Sequence, residues 1–107
     1  MATFNRYTSN GVTAATSIHQ SNASDAAQAD IIIGFSIANA HTATVTVDAY
    51  IHDGSSNIYL CKQATIPVGG AIEVITGKIV LDNGDNVYVT SDNAVDVWLS
   101  VLDNASA

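Results

Sequence analysis

The chain has 107 residues, with three basic and ten acidic side chains and a formal net charge of −7 at pH 7. A chain of this length builds one domain around a single core. Because phosphate binding needs clustered cations, the scattered Arg6, Lys62 and Lys78 argue against nucleic acid and against an anionic membrane as partners.

The first thirty residues give weak structural signals. Residues 1–10 are predicted as an N-terminal arm, mobile or lying on a neighbour, in which Phe4 and Tyr7 stand among polar residues. An extended arm can add a strand to a neighbour's sheet. The stretch GVTAATSIHQ, residues 11–20, is rich in Thr and other β-formers and is predicted to open the sheet. Residues 23–29 are too short and too uniformly small for a stable helix, so a loop is expected there.

Two strand patterns follow. Residues 31–37 predict a strand with Ile31, Ile33, Phe35 and Ile37 on one apolar face and Gly34 and Ser36 on the other. Residues 45–52 alternate strictly, and Asp53-Gly54 then supplies a turn, so the chain is expected to return along residues 57–63 as a β-hairpin.

The last forty residues contain four short apolar runs, with turn signals roughly every ten residues and no helical pattern between them. This predicts an all-β fold, an antiparallel β-sandwich or jelly roll over residues 11–103, followed by a C-terminal tail at 104–107. In the final run, residues 95–102, one face carries Val95, Val97, Leu99 and Val101. Trp98 and Leu102 occupy the face that should meet water.

The outward Trp98 and Leu102 predict an interaction surface. Tyr50, Tyr59 and Tyr88 fall on neighbouring exposed faces, and charged residues make up only 12% of the chain. Aromatic enrichment with few charges is typical of interface cores, and a low-charge surface is easily desolvated. The alternative is that both faces of the last strand are buried within one domain.

Catalytic and metal sites find no support in the sequence. His19, His41 and His52 lie far apart and are expected at the surface, and the single cysteine, Cys61, is expected to pack as a small hydrophobe. Asp82, Asn83, Asp85, Asp92 and Asp96 provide oxygen ligands around Gly84 but do not match an EF-hand loop, and turn formation without an ion explains them with less coincidence. Glu73 is the only glutamate, so no glutamate pair exists for acid–base work. We therefore expect no enzyme, no cofactor and no metal.

The start of the chain, MATFNRYTSN, has neither a basic segment nor an apolar run, and no later stretch is long enough to cross a membrane. A soluble protein made in a cytoplasm is expected. With one cysteine, the chain has no internal disulfide.

The order of several phrases resembles small virion structural proteins of tailed phages, notably those of cyanobacteria. These phrases are Ile66-Pro67-Val68-Gly69-Gly70, Ile72-Glu73-Val74-Ile75, Lys78-Ile79-Val80-Leu81, Gly84-Asp85, Val95-Asp96-Val97 and Ser100-Val101-Leu102. The resemblance spans nearly the whole chain and implies a β-sandwich module built into the particle, without catalytic residues. It leaves open whether that module sits on the head or on the tail or neck.

The sequence therefore predicts a non-enzymatic virion subunit assembled in the host cytoplasm, with a capsid decoration or cement role favoured. Its partners would be copies of itself, with a trimer as a natural arrangement, and the major capsid protein or another virion protein. Trp98, Leu102, Tyr88 and Tyr50 would anchor a contact burying on the order of 1,600 Å², aided by Phe4 and Tyr7 of the arm. The alternative is a tail, neck or fibre component that binds carbohydrate through its aromatic rings.

Overall fold

A computed structural model of the chain describes residues 3–21, 29–82 and 84–103. These residues form nine β-strands: β1 (Thr3–Val12), β2 (Thr16–Gln20), β3 (Asp30–Asn39), β4 (Val45–His52), β5 (Asn57–Ile66), β6 (Ala71–Glu73), β7 (Ile79–Leu81), β8 (Asn86–Ser91) and β9 (Val95–Asp103). In this described part of the chain, no helix is long and apolar enough to span a membrane.

The strands form two antiparallel sheets that pack face to face. Sheet A has the order β1-β9-β3-β6, with β7 also pairing with β3, and sheet B has the order β2-β8-β4-β5. Both sheets contribute the valine, isoleucine, leucine and phenylalanine side chains of one continuous buried core. The predicted all-β antiparallel sandwich is confirmed.

In β4 and β9 the side chains alternate between the core and the outer face as the sequence predicted. Val45, Val47, Ala49 and Ile51 of β4 are buried, as are Val95, Val97, Leu99 and Val101 of β9. The β4–β5 hairpin turns at Asp53-Gly54, as expected. The Asp53 carboxylate accepts hydrogen bonds from the backbone N–H of Ser55 at 3.1 Å and of Ser56 at 2.9 Å, and Gly54 has φ of 96°.

A β-bulge in β3 corrects the predicted face of that strand. The register with β9 shifts between Ile32 and Gly34, and Ile32 is buried together with Phe35 and Ile37. An extra residue in a strand reverses which side chains face the core on the amino-terminal side of the bulge. The prediction that Ile31 and Ile33 face the core was therefore wrong, since Ile33 is 40% exposed and Ile31 shares the outer face.

The amino-terminal residues also differ from the prediction. The expected arm outside the sandwich, residues 1–10, is from Thr3 onward the edge strand β1, which pairs with β9 from Thr3↔Asp103 to Val12↔Val95. An edge strand meets solvent on its outer side and carries polar residues, so its sequence resembles a free arm. The segment 11–20 is divided between the end of β1 and strand β2 of the other sheet. The loop predicted at 23–29 falls, except for residue 29, outside the described residues, as does the tail 104–107.

Candidate functional site

The predicted aromatic anchors lie on two opposite faces of the molecule. Trp98 and Leu102 belong to β9 and face outward from sheet A. Tyr50, Tyr59 and Tyr88 belong to β4, β5 and β8 and face outward from sheet B. The expectation of neighbouring aromatic faces was wrong, because these strands enter different sheets. One flat contact cannot engage both sets.

An apolar row crosses the outer face of sheet A. Phe4 pairs with Leu102, Leu102 with Ile31, and Ile31 with Val80, so four apolar residues occupy adjacent positions on β1, β9, β3 and β7. With neighbouring strands about 4.8 Å apart, the row is roughly 14 Å long. Phe4 is 74% exposed and Val80 is 60% exposed. Large side chains of this kind lie open on the face of sheet A that points away from sheet B.

Trp98 lies on the same face, four residues along β9 from Leu102, and is 50% exposed. The Arg6 guanidinium carbon is 5.1 Å from the centroid of the Trp98 ring. Between Trp98 and the apolar row, Ser100 pairs with Gly34 and Arg6. A shallow depression lies over Ser100 and is bordered by Phe4, Arg6 and Ile33. The face therefore combines protruding apolar groups with a hollow, which suits shape-complementary contact.

The outer face of sheet B carries a tyrosine ladder, defined here as Tyr59, Tyr50 and Tyr88. Tyr50 pairs in register with both others; its ring centroid lies 5.2 Å from that of Tyr59 and 5.4 Å from that of Tyr88, with an angle of 14° between the Tyr50 and Tyr88 planes. Burial raises the pKa of the Tyr50 phenol, and the neighbouring Tyr59, Tyr88 and Asp48 add to the effect. The nearly parallel rings of Tyr50 and Tyr88 cover each other's faces.

A buried polar cluster joins the two sheets at one end of the sandwich. His19 of β2 places Nε2 2.9 Å from Oδ2 of Asp30 on β3 and 3.5 Å from Oδ1 of Asp103 on β9. The side chains of His19, Asp30 and Asp103 are 9%, 4% and 13% exposed. The expectation that His19 is a surface residue was therefore wrong.

Two β1 residues complete the cluster. The Tyr7 hydroxyl donates a short hydrogen bond to Asp103 Oδ2, and Asn5 Nδ2 donates to the same oxygen at 2.6 Å. The Tyr7 ring stacks on the His19 ring, with centroids 4.1 Å apart. Burial, followed by the contact with Asp103, raises the pKa of Tyr7. Tyr7 thus packs between the sheets rather than extending toward a neighbour as an arm residue.

A solvent-open cavity of about 500 Å³ leads to this cluster, and among the described residues neither lysine nor arginine lines it. The sequence reasoning missed the cluster because its members come from four strands in two sheets. A signal was present for Asp103, which lies two positions from Val101 and so continues the inward-facing side of β9. Asp30 stands in the same relation to Ile32, but the bulge in β3 sets the face of that residue.

The other candidate ligands do not converge within the described part of the chain. Asp82 and Asp85 stabilise a turn: the Asp82 backbone N–H donates to the Asp85 carboxylate, and the Asp85 backbone N–H donates to the Asp82 carbonyl. The Asp92 carboxylate accepts from the backbone N–H of Thr46, and the Asp96 carboxylate accepts from that of Gly11. Asn83 lies outside the described residues. These aspartates act as turn and strand-end acceptors, consistent with the turn explanation of the aspartate-rich segment.

Cys61 on β5 is partly buried, and burial raises the pKa of its thiol. A raised pKa reduces the thiolate fraction that nucleophilic chemistry requires. His41 and His52 make local contacts: the His41 backbone N–H donates to Asn39, and His52 Nδ1 lies 2.8 Å from Asn57 Oδ1.

No family model and no curated protein matches the chain. Solved structures similar to it include a protein of Bacillus endospore appendages, described as a novel family of disulfide-linked pili, with 11% identity, 97% of this chain and 87% of the other covered, and a TM-score of 0.53. The likeness is one of fold. A chain of infectious bursal disease virus, Gx strain, has 14% identity and a TM-score of 0.55, with 97% of this chain covered but only 32% of the viral chain.

Proposed function

We propose that this protein is a non-enzymatic structural subunit, specifically a decoration or cement subunit that binds the major capsid protein of a tailed-phage head and other copies of itself. The observation that carries the proposal is the uncovered apolar row Phe4–Leu102–Ile31–Val80, with Trp98 on the same face. The sequence resemblance to phage virion proteins supports a place in a phage particle. A virion location follows from the proposal.

The size of the sheet A face is adequate for such a contact. The molecule measures 43 × 27 × 21 Å, so its broad face exceeds the roughly 800 Å² that each partner contributes to a stable interface of standard size. Contiguous exposed apolar patches on soluble proteins mark interaction sites. A partner that covers Phe4, Val80 and Trp98 would remove much of that surface from water.

The two similar structures support an assembly role through their fold, since one forms pili and the other belongs to a virus particle. The covalent linkage of the pili does not transfer to these 107 residues. Each subunit of a disulfide-linked polymer needs at least two cysteines, and this sequence contains one. Assembly here would rest on non-covalent surface contacts.

The test is to fractionate purified particles into filled heads and detached tails and to quantify the polypeptide in each fraction by mass spectrometry. Hundreds of copies in the head fraction support the decoration role. A few copies in the tail fraction, or none in either, would overturn it. Particles assembled with Val80→Ser or Trp98→Ser should lose the subunit, whereas Tyr59→Ser, a change at an exposed residue of the opposite sheet, should leave incorporation intact.

A second candidate is a carbohydrate-binding component of the tail or fibre, favoured by the outward-facing tyrosine ladder and its neighbours Lys62 and Asn57. Lys62 Nζ lies 4.7 Å from the Tyr59 ring centroid. The mutual stacking of Tyr50 and Tyr88 leaves fewer free ring faces for a sugar, which places this candidate second. Calorimetric titration with host polysaccharide tests it, and saturable binding that Tyr59→Ala removes would support it.

A further inference from the structure

We infer that His19, Asp30 and Asp103 form a site for one divalent transition-metal ion, with Zn²⁺ as the ion that fits the ligand set. The inference is independent of the proposed assembly role, because the three side chains face the space between the sheets and not the outer face of sheet A.

The ligand geometry suits a single ion. The His19 nitrogen and one oxygen from each aspartate all lie within 4.8 Å of one another, and two of the separations are 2.9 and 3.5 Å. Ligands held about 2.1 Å from a tetrahedral ion are about 3.4 Å apart. The three atoms therefore surround a volume of the right size, and closing the wider gap requires only a small rotation of a carboxylate.

The charge of the cluster also calls for a cation. Two carboxylates meet one imidazole in a nearly buried position, and the described residues that line the cavity include no lysine or arginine. Two carboxylates in a nearly buried position are costly to desolvate, even where hydrogen bonds offset part of the cost. A divalent ion neutralises both carboxylates at once.

The surroundings are those of a supported metal site. Tyr7 and Asn5 both donate to Asp103 Oδ2, which leaves Oδ1 directed at His19. Outer hydrogen bonds of this kind fix ligand orientation in metal sites. The solvent-open cavity gives the ion an entry path and leaves the fourth position to water.

The ligand chemistry selects the type of ion. Calcium and magnesium prefer six or more oxygen ligands, whereas one imidazole with two carboxylates suits zinc and its first-row neighbours. The ion would link β2 of sheet B to β3 and β9 of sheet A, and so fasten the two sheets at this end of the sandwich.

The experiment uses the full chain, stripped of metal with a chelator and titrated with ZnCl₂ by calorimetry. One ion per chain is expected. Zinc at a hundredfold excess over its dissociation constant should raise Tm by roughly 10 °C or more. Asp103→Asn, which keeps the side-chain shape, should weaken binding at least tenfold, and His19→Ala should abolish it. The matched control His52→Ala removes a half-buried imidazole at the end of β4, outside the cluster, and should bind like the wild type.

A readout on the wild-type chain covers the case in which a cluster variant fails to fold. Nitrogen-15 spectra of the imidazole side chains, assigned with His41→Ala and His52→Ala, should show saturable zinc-induced shifts at His19 alone. Absence of saturable binding, or shifts confined to His41 or His52, would overturn the inference and leave the cluster as a metal-free ion pair.

Discussion

Trp98 and Leu99 are adjacent in β9 and point to opposite sides of sheet A: Trp98 is 50% exposed with Arg6 over its ring, and Leu99 is fully buried. Within two residues, this pair separates the exposed face of sheet A from the core.

Trp98→Ser is expected to change the free energy of unfolding by no more than about 1 kcal/mol, because it removes an exposed ring and one cation–π contact. Leu99→Ala opens a cavity in the core and should cost about 2–5 kcal/mol. Urea denaturation measures both. Incorporation into particles should fall for the folded Trp98→Ser variant; a cost as large as that of Leu99→Ala would instead make Trp98 part of the core.

How far the sequence predicts this molecule depends on how regular each strand is. The β4 and β9 core residues and the Asp53-Gly54 turn followed directly from alternation and turn chemistry. The bulge at Ile33 could not be predicted from residue types, because an inserted residue leaves a run of isoleucines looking the same while it inverts their faces.

The surfaces and the buried cluster depend on topology, which pattern alone does not give. Tyr50 and Trp98 look alike as outward aromatics, but only the strand order places them on opposite sheets. His19 and Asp103 are far apart in the chain and meet because β2 and β9 belong to the two sheets that pack against each other.

Tyr7→Phe should destabilise the metal-free protein by about 1–2 kcal/mol, because Asp103 loses a hydroxyl donor and keeps its partly buried charge. Urea denaturation in the presence of a chelator measures the effect. Tyr59→Phe is the control: its ring is 41% exposed on the other sheet, so a change within about 0.5 kcal/mol is expected. Equal effects of the two changes would show that the Tyr7 hydroxyl contributes nothing to folding.

The folded protein should lose stability at alkaline pH because of Tyr50 in the tyrosine ladder. Burial raises the pKa of Tyr50 above its ordinary value of 10.0, so between the unfolded and folded pKa values the folded state retains a proton that the unfolded state has lost. The resulting stability is fully present below pH 10 and is lost as the pH rises through the folded pKa.

The measurement compares the free energy of unfolding of wild type and Tyr50→Phe from pH 8 to 11.5. Wild type should lose stability above about pH 10 more steeply than the variant, which lacks the titrating group. Parallel curves for the two proteins would show that Tyr50 titrates alike in the folded and unfolded chains.

The Cys61 thiol should react slowly in the folded protein, because its raised pKa and partial burial reduce both the thiolate fraction and access to it. Alkylation by iodoacetamide at pH 8, followed by mass spectrometry, should be at least tenfold slower than for glutathione, and should reach the ordinary rate in urea. On the proposed assembly role, Cys61→Ser should be incorporated into particles as the wild type is, since one thiol per subunit cannot link a polymer. Rapid alkylation of the native chain, or loss of assembly in Cys61→Ser, would place the thiol at a working surface and contradict a purely non-covalent assembly.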